Sequence, residues 1–323
     1  MLARASRFTI VLLAALLPIG AGLAQEYPVK PVRMIVPFPP GGGTDLIARI
    51  TSGKLSQLLG QQFVVENRPG AGTVIGSEVA ARAAGDGYTI LMQVNSLAAN
   101  HTLYPKLPYD TLKDFIPIVL VGSTPNVFVI HPSMPVKNAA EFVALAQRRP
   151  DEISYASSGV GGASYLATEY FKMLTGVKML HVPYKGTAPA IAAILSGEAQ
   201  VSIAAAPGTI SFIKSGKLRA LGVTGAQRWP VFPELPTLEE AGIKGFEFET
   251  WYGIFAPRGT PAAVATKLNA TVNKLLAMPD VKEQLQKGGF EIAGGTQESF
   301  AAYFQSEIEK LGKVIRTTGA KPE

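Results

Sequence analysis

Three glycines near the N-terminus separate an apolar pattern from a helical one. They occupy residues 41–43, after an apolar run at 32–36 and before a helical pattern at 44–59. Glycine lets the backbone pass close to a ligand, and the first N–H groups of a helix carry partial positive charge without an internal partner. Thr44 or Asp45 is expected to cap this helix. The pattern predicts either a backbone site for a small anion or a tight turn without a ligand.

A second glycine-rich segment lies in the middle of the chain. Residues 157–162 are Ser-Ser-Gly-Val-Gly-Gly, and Ser164 follows at the start of another helical pattern. These serines are candidate nucleophiles, but no histidine is near in sequence, so hydroxyl donors on a second anion loop are the favoured interpretation. Lys185 is interpreted as either a solvated turn residue or a ligand contact. Tyr165 and Tyr184 are expected either to line a cleft or to lie in the core.

Several kinds of catalytic and cofactor site are excluded by residue type or spacing. The chain has no cysteine, which excludes disulfides, zinc–thiolate sites and thiol catalysis. Its three histidines, His101, His131 and His181, lie in separate segments and indicate structural roles rather than a metal site. The glycines at 70, 72 and 76 miss the dinucleotide-binding spacing, and no serine-hydrolase elbow, zinc-protease helix or P-loop is present. We therefore expect no cofactor, no metal and no catalytic residues.

Charge and composition narrow the class of partner. Lys and Arg total 30 against 24 Asp and Glu, for a net charge of +6, and 47% of residues are hydrophobic. The composition is that of a chain with a packed core. The positive charges are scattered and no basic stripe is interleaved with aromatic residues, so a nucleic-acid partner is not expected.

The N-terminus has the pattern of an export signal. Two arginines precede an apolar run at 8–17, and small residues follow up to Ala24. This pattern predicts a signal peptide over 1–24, cleaved between Ala24 and Gln25, and a periplasmic location in a bacterium. The alternative is an uncleaved anchor, although the apolar run is shorter than the roughly 20 residues of a membrane span.

Strand and helix patterns alternate along the rest of the chain, and the length of 323 residues suggests two domains. Each half begins with a strand, a glycine-rich loop and a helix start, which predicts two α/β lobes able to hold an anion between them. Trp251 and Tyr252 are expected at a buried strand end rather than in the cleft.

Strands are predicted at 32–36, 63–66, 88–93, 127–130, 153–156, 180–182, 200–204, 218–223 and 251–256. Helices are predicted at 44–59, 73–83, 138–148, 163–174 and 188–195, after Pro261, and at 280–287 and 297–315.

A set of motifs, in this order, resembles a known receptor family. Over essentially the whole chain after the leader, the sequence is similar to the solute receptors of tripartite tricarboxylate transporters, the Bug or TctC family. The motifs are PVRMIVPF (31–38) with PGGGTD (40–45), ENRPGAG (66–72), DGYTIL (86–91), LPYD (107–110) with KDF (113–115), VPYKG (182–186), and WYGIFAP (251–257) with GTP (259–261).

This resemblance implies a fold and a domain layout. The implied fold is an α/β periplasmic binding protein of the type II-like, Venus-flytrap kind, with two lobes that each contain a mostly parallel sheet flanked by helices. Residues 25–124 and 249–323 would form lobe 1, and residues 125–248 would form lobe 2. The receptor is expected to be a monomer.

The resemblance also implies a ligand site. Family members hold small carboxylates between two strand–turn–helix pincers. Carried over, the first pincer consists of Phe38, Gly42, Gly43, Thr44 and Asp45. The second consists of Ser157, Ser158, Gly159, Gly161, Gly162, Ala163 and Ser164. Asn95, Ser96, Tyr184 and Lys185 are expected in the cleft wall.

The sequence departs from the family pattern at two positions. Tyr165 follows Ser164 where the family has a histidine, and Gln200 stands where the family has an aspartate that could hold an amino group. The ligand is therefore expected to be a carboxylate without an amino group. We expect a non-enzymatic receptor that delivers this ligand to membrane transporter subunits or to a sensor kinase. The alternative from another class is a periplasmic esterase that uses a serine of the second loop.

Overall fold

The structure is a computed structural model that describes residues 27–322, and the predicted leader and its cleavage site lie outside that range. Strands and helices alternate within it as the sequence predicts. In chain order they are β1 (Val32–Val36), α1 (Gly43–Leu59), β2 (Phe63–Asn67), α2 (Val74–Ala81), β3 (Thr89–Gln93), α3 (Asn95–Leu103), β4 (Phe115–Ile130), α4 (Ala139–Arg148), β5 (Ser154–Ser157), α5 (Ala163–Thr175), β6 (Leu180–Pro183), α6 (Thr187–Ser196), β7 (Val201–Ala205), α7 (Ile210–Lys214), β8 (Arg219–Val223), β9 (Glu249–Pro257), α8 (Ala262–Leu276), α9 (Pro279–Lys287), β10 (Glu291–Ile292) and α10 (Gln297–Thr318).

The first lobe is built on a sheet in which β2, β1 and β3 pair in parallel, in that order. β9 lies antiparallel beside β3, the first part of β4 pairs with β9, and β10 pairs with β4. Helices cover both faces of the parallel strands. Because such strands are buried on both faces, their sequences are nearly continuous apolar runs rather than alternating ones.

The second lobe repeats the parallel arrangement with β6, β5 and β7. The second part of β4 pairs antiparallel with both β7 and β8. The predicted two-lobed α/β fold is confirmed. Antiparallel strands, β4, β8, β9 and β10, extend the parallel strands of each sheet, and the sequence pattern did not distinguish them.

Strand β4 is shared by the two sheets, and it begins much earlier than the predicted strand at 127–130. Pro117, Gly122 and Pro125 interrupt its apolar pattern, but the strand continues because its register against β9 shifts at two places. A Cβ at Gly122 would lie 2.3 Å from the carbonyl oxygen of Glu291, so glycine is needed where β10 pairs. The lobe boundaries at 124/125 and 248/249 fall within β4 and just before β9, and they stay a prediction.

The C-terminal helix α10 packs against α3 and α5. Its buried apolar residues recur at helical spacing, from Phe300 and Phe304 to Ile315. Both phenylalanine rings contact the ring of Trp251, with centroids 6.0 and 5.9 Å away. Trp251 and Tyr252 are 0% and 1% exposed, as expected of a buried strand end, although Tyr252 also lines a cavity between the lobes. Among the described residues, no helix is long and apolar enough to cross a membrane.

Candidate functional site

Three helices begin at one cavity between the lobes, which we call the inner cavity and whose volume is about 120 Å³. Gly43 at the start of α1, Ala163 at the start of α5 and Thr187 at the start of α6 all line it. The residue before each helix is a glycine, and no side chain caps any of the three helices. Their first N–H groups are therefore open to a ligand and carry partial positive charge. Such an arrangement can bind an anion.

The inner cavity continues into two larger ones. An outer cavity of about 480 Å³ shares Phe38, Ser158 and Lys185 with it and extends to Tyr184. An apolar cavity of about 310 Å³, lined by Leu46, Ile191, Leu195 and Phe212 among others, joins it at Gly42, Gly43 and Thr187.

The charge that lines these three cavities is positive only, as far as the described residues go. Among the described residues that line them, Lys185 is the only charged side chain, and no carboxylate is present. Within residues 27–322, no group of three or more His, Cys, Asp or Glu side chains could hold a metal ion. The lining can therefore attract a negatively charged ligand, and it has no acidic side chain to repel one.

The lobes touch each other around these cavities. A Cβ at Gly72 in the first lobe would lie 2.7 Å from the carbonyl oxygen of Val160 in the second. A Cβ at Gly186 would lie 3.4 Å from the Pro39 ring. The structure therefore shows the two lobes in close contact at these two points, on either side of the glycine-rich loops.

Most of the predicted site residues come together here. Those that line the inner cavity are Phe38, Gly42, Gly43, Thr44, Ser158, Ala163, Ser164 and Lys185. Gly159, Gly162 and Tyr184 line the outer cavity. Gly161 lies at the contact between lobes, where a Cβ would be 3.0 Å from Oδ1 of Asn100.

Asp45 supports the first glycine loop instead of lining a cavity. Its carboxylate accepts hydrogen bonds from Gly41 N at 3.0 Å, Asn67 Nδ2 at 2.9 Å and Arg49 Nε at 2.9 Å. Burial alone would raise the pKa of Asp45, but these hydrogen bonds and the Arg49 charge outweigh burial and lower it. The predicted cap was wrong, since Gly42 is the N-cap and Thr44 and Asp45 lie inside the helix.

Asn95 and Ser96 lie at the buried start of α3, which the sequence did not predict as a helix because it lacks apolar periodicity. The Asn95 side chain donates to Glu249 O at 3.0 Å and accepts from Trp251 N at 3.3 Å. Ser96 is 0% exposed, and its hydroxyl has no hydrogen-bond partner. Neither residue lines the three cavities, although Val94 just before them lines the inner one.

Gln200 lies away from the cleft. Its carboxamide oxygen accepts hydrogen bonds from Ser154 N at 2.6 Å and Ser154 Oγ at 2.7 Å. It precedes β7, whose other end at Ala205 lines the inner cavity, and a strand of this length spans roughly 16 Å. The position of Gln200 therefore gives no structural support to the idea that it selects against an amino group.

Ser157 has a histidine partner, His181, that lies 24 residues away in the sequence and was therefore not recognised from it. Because β5 and β6 are parallel neighbours, Ser157 Oγ lies 2.6 Å from His181 Nε2. Ser157 is fully buried, and its hydroxyl also accepts from Gly159 N at 3.1 Å. The His181 ring stacks on Tyr155 with centroids 4.8 Å apart. The Ser157–His181 pair therefore supports the second glycine loop through the hydrogen bond to Gly159 N. Because Ser157 is buried, its hydroxyl is not accessible as a nucleophile.

Acid should destabilise the protein through His181, because burial lowers the pKa of its ring to about 4. In the unfolded chain its pKa is ~6.5, so between these values the unfolded state binds the extra proton and the free energy of unfolding falls as pH falls. For a partly exposed ring we expect a loss of roughly 2 kcal/mol from pH 7 to pH 4. Urea unfolding at several pH values measures it. His181→Gln, which keeps an acceptor but cannot titrate, should flatten this dependence, and an unchanged dependence would assign it to other groups.

The inner cavity is also lined by residues of five stretches that sequence reasoning did not assign to the site. The start of α6 repeats the strand–glycine–helix pattern at Gly186, and that repetition was the available signal. The remaining residues follow from strand pairing and had no local signal. The full set is Pro39, Pro40, Val94, Gly186, Thr187, Ala188, Pro189, Ala205, Thr250 and Tyr252.

Comparison with known proteins decides the family. The sequence model described as "Tripartite tricarboxylate transporter family receptor" matches residues 47–320. The chain belongs to this receptor family. Receptors of this family are periplasmic solute-binding proteins rather than enzymes.

Relatives of this receptor match it over most of its length. It is 42% identical to a UPF0065 protein from the tcbD-tcbE intergenic region of Pseudomonas sp., over 90% of this chain and 87% of that protein. It is 37% identical to BugT of Bordetella pertussis, over 92% of each chain.

Solved structures of related proteins have nearly the same fold as this receptor. A R. palustris protein with adipate has a TM-score of 0.88 and 36% identity, covering 92% of this chain and 100% of that one. MatC from Rhodopseudomonas palustris with bound malate has a TM-score of 0.85 and 33% identity, covering 90% of this chain and 100% of that one.

Proposed function

We propose that this receptor binds a small organic carboxylate in the inner cavity and delivers it to the membrane subunits of a tripartite transporter. The observation that carries the proposal is the meeting of three uncapped helix N-termini at one cavity whose lining has no carboxylate. Two related structures are described with adipate and with malate, both carboxylates. A sensor kinase is the second candidate partner, because the loaded receptor would present the same closed surface to either.

The geometry accounts for binding without an arginine clamp. Hydrogen bonds from backbone N–H groups to an ionised carboxylate contribute roughly 1.5–3 kcal/mol each. A few of these bonds, from α1, α5 and α6, suffice for micromolar affinity, which corresponds to about −8 kcal/mol. We propose that the predicted residues lining the inner cavity make the first contacts. The remainder of the ligand would extend past Lys185 into the outer cavity.

A thermal-shift screen tests this function. We expect at least one mono-, di-, tri- or aromatic carboxylate to stabilise the receptor by ~2.7 kcal/mol at a hundred times its Kd. The matched control is the primary amide of the same acid, which has the same shape without the charge and should give little shift. The proposal fails if no carboxylate raises the melting temperature, or if the amides do so equally.

Neither the esterase nor the anchored form is favoured. The Ser157–His181 pair would suit a hydrolase, but the serine is fully buried. We propose cleavage of the leader between Ala24 and Gln25, and release of a monomer into the periplasm. The intact mass of protein from a periplasmic extract should correspond to a chain that begins at Gln25, and a mass that retains residues 1–24 would contradict the cleavage.

A further inference from the structure

Tyr252 lines the inner cavity, although the sequence favoured a buried strand end over a position in the cleft. It lies on β9, its side chain is 1% exposed, and it lines the inner cavity. Its ring packs edge-on against Phe290, with centroids 5.2 Å apart. Its hydroxyl would lie 3.1 Å from a Cβ at Gly43, which places the oxygen beside the first residue of α1.

The hydroxyl of Tyr252 has no hydrogen-bond partner among the described residues. Neighbouring polar groups on the same strand are occupied, since Thr250 Oγ1 donates to Asn126 Oδ1 at 3.0 Å. The Tyr252 oxygen differs from the hydroxyls of Ser96 and Tyr109, which are fully enclosed without a partner, because it borders the inner cavity, where a ligand can reach it. Burial also raises the pKa of Tyr252, so the phenol stays protonated and can donate.

We infer that the Tyr252 hydroxyl donates a hydrogen bond to a carboxylate oxygen of the bound ligand. The inference rests on the proposed function and adds a side-chain donor to the backbone N–H groups of the helices. The hydroxyl lies beside the start of α1, so it can hold the same carboxylate that the α1 amides hold. Because β9 is paired with the shared strand β4, this contact also ties the ligand to the strands that join the two lobes.

Tyr252→Phe tests the inference because it removes one oxygen and keeps the packing of the ring. We would titrate the full receptor and the variant with adipate, malate and acetate by calorimetry. The carboxylates that bind the wild type should bind the variant ~10-fold more weakly, which corresponds to 1.4 kcal/mol. The ligand-free variant should melt at about the same temperature, since the ring packing against Phe290 is kept and the hydroxyl that is removed borders the cavity.

Tyr109→Phe is the matched control, because it removes the same atom from another buried tyrosine that lines none of the three cavities. Its affinities should equal those of the wild type. Equal affinity of Tyr252→Phe and wild type overturns the inference and leaves the proposed function standing. Failure of every carboxylate in the screen to bind the wild type overturns both.

If Tyr252→Phe melts lower than the wild type, a structure of the wild-type complex decides. A carboxylate oxygen within about 3.2 Å of the Tyr252 oxygen supports the inference. A distance beyond about 4 Å overturns it.

Discussion

Ala188→Asp should weaken carboxylate binding by at least about 100-fold, which is ~2.7 kcal/mol. Ala188 lies in the first turn of α6 and lines both the inner and the apolar cavity. Two like charges 5 Å apart repel by roughly 3 kcal/mol at an effective dielectric constant of 20. The new charge should not harm the fold, because an acidic residue near a helix N-terminus is favourable by about 0.3–1 kcal/mol.

Ala188→Asn is the matched control for this experiment. The amide has nearly the same shape as the carboxylate but no charge, so we expect a loss of affinity of only a few-fold. Calorimetry gives both affinities, and thermal unfolding without ligand checks the fold of each variant. Equal affinities for the two variants would mean that charge at the start of α6 does not matter, and the anion would then lie elsewhere.

Gly253→Ala should destabilise the receptor by about 3 kcal/mol, the upper part of the usual range for overpacking a core. Gly253 lies in the middle of β9, and a Cβ there would be 2.2 Å from the Phe300 ring. That ring cannot move away, because it is 1% exposed and packs against Trp251 and Phe255. Urea unfolding monitored by fluorescence gives the free energy of unfolding.

Gly53→Ala makes the same chemical change where there is room. Gly53 lies within α1, and a Cβ there would contact nothing within 4 Å. In a helix interior alanine is favoured over glycine by about 1 kcal/mol, so this variant should be more stable than the wild type. If both variants changed stability in the same direction, the packing of Phe300 against β9 would not explain the loss.

The parts of the site that repeat a local pattern could be predicted from the sequence. The starts of α1 and α5 follow a strand and a run of glycines, and α6 follows the same pattern with a single glycine at 186. Glycine before a helix leaves the first N–H groups uncapped, and parallel strands bring such loops to one edge of a sheet. Local sequence therefore indicated the helix starts, but not that three of them share one cavity.

Contacts made by strand pairing could not be predicted in the same way. Ser157 and His181 are far apart in sequence and meet only because β5 and β6 are neighbours. Tyr252 lines the inner cavity with its hydroxyl beside the start of α1, far away in sequence, while the local pattern favoured a buried strand end over the cleft. For Gln200 the sequence suggested a place in the ligand site, from its position in the family pattern. Its side chain instead bonds to Ser154, at the end of β7 away from the cleft.

A crystal structure of the receptor with the carboxylate that binds most tightly in the screen tests the central claim most directly. We expect a carboxylate oxygen within about 3.2 Å of backbone nitrogens in the first turns of at least two of α1, α5 and α6. The account is contradicted if the carboxylate lies outside the inner cavity, for example in the groove near Arg228 and Lys282, with no backbone nitrogen of these three helix starts within about 4 Å.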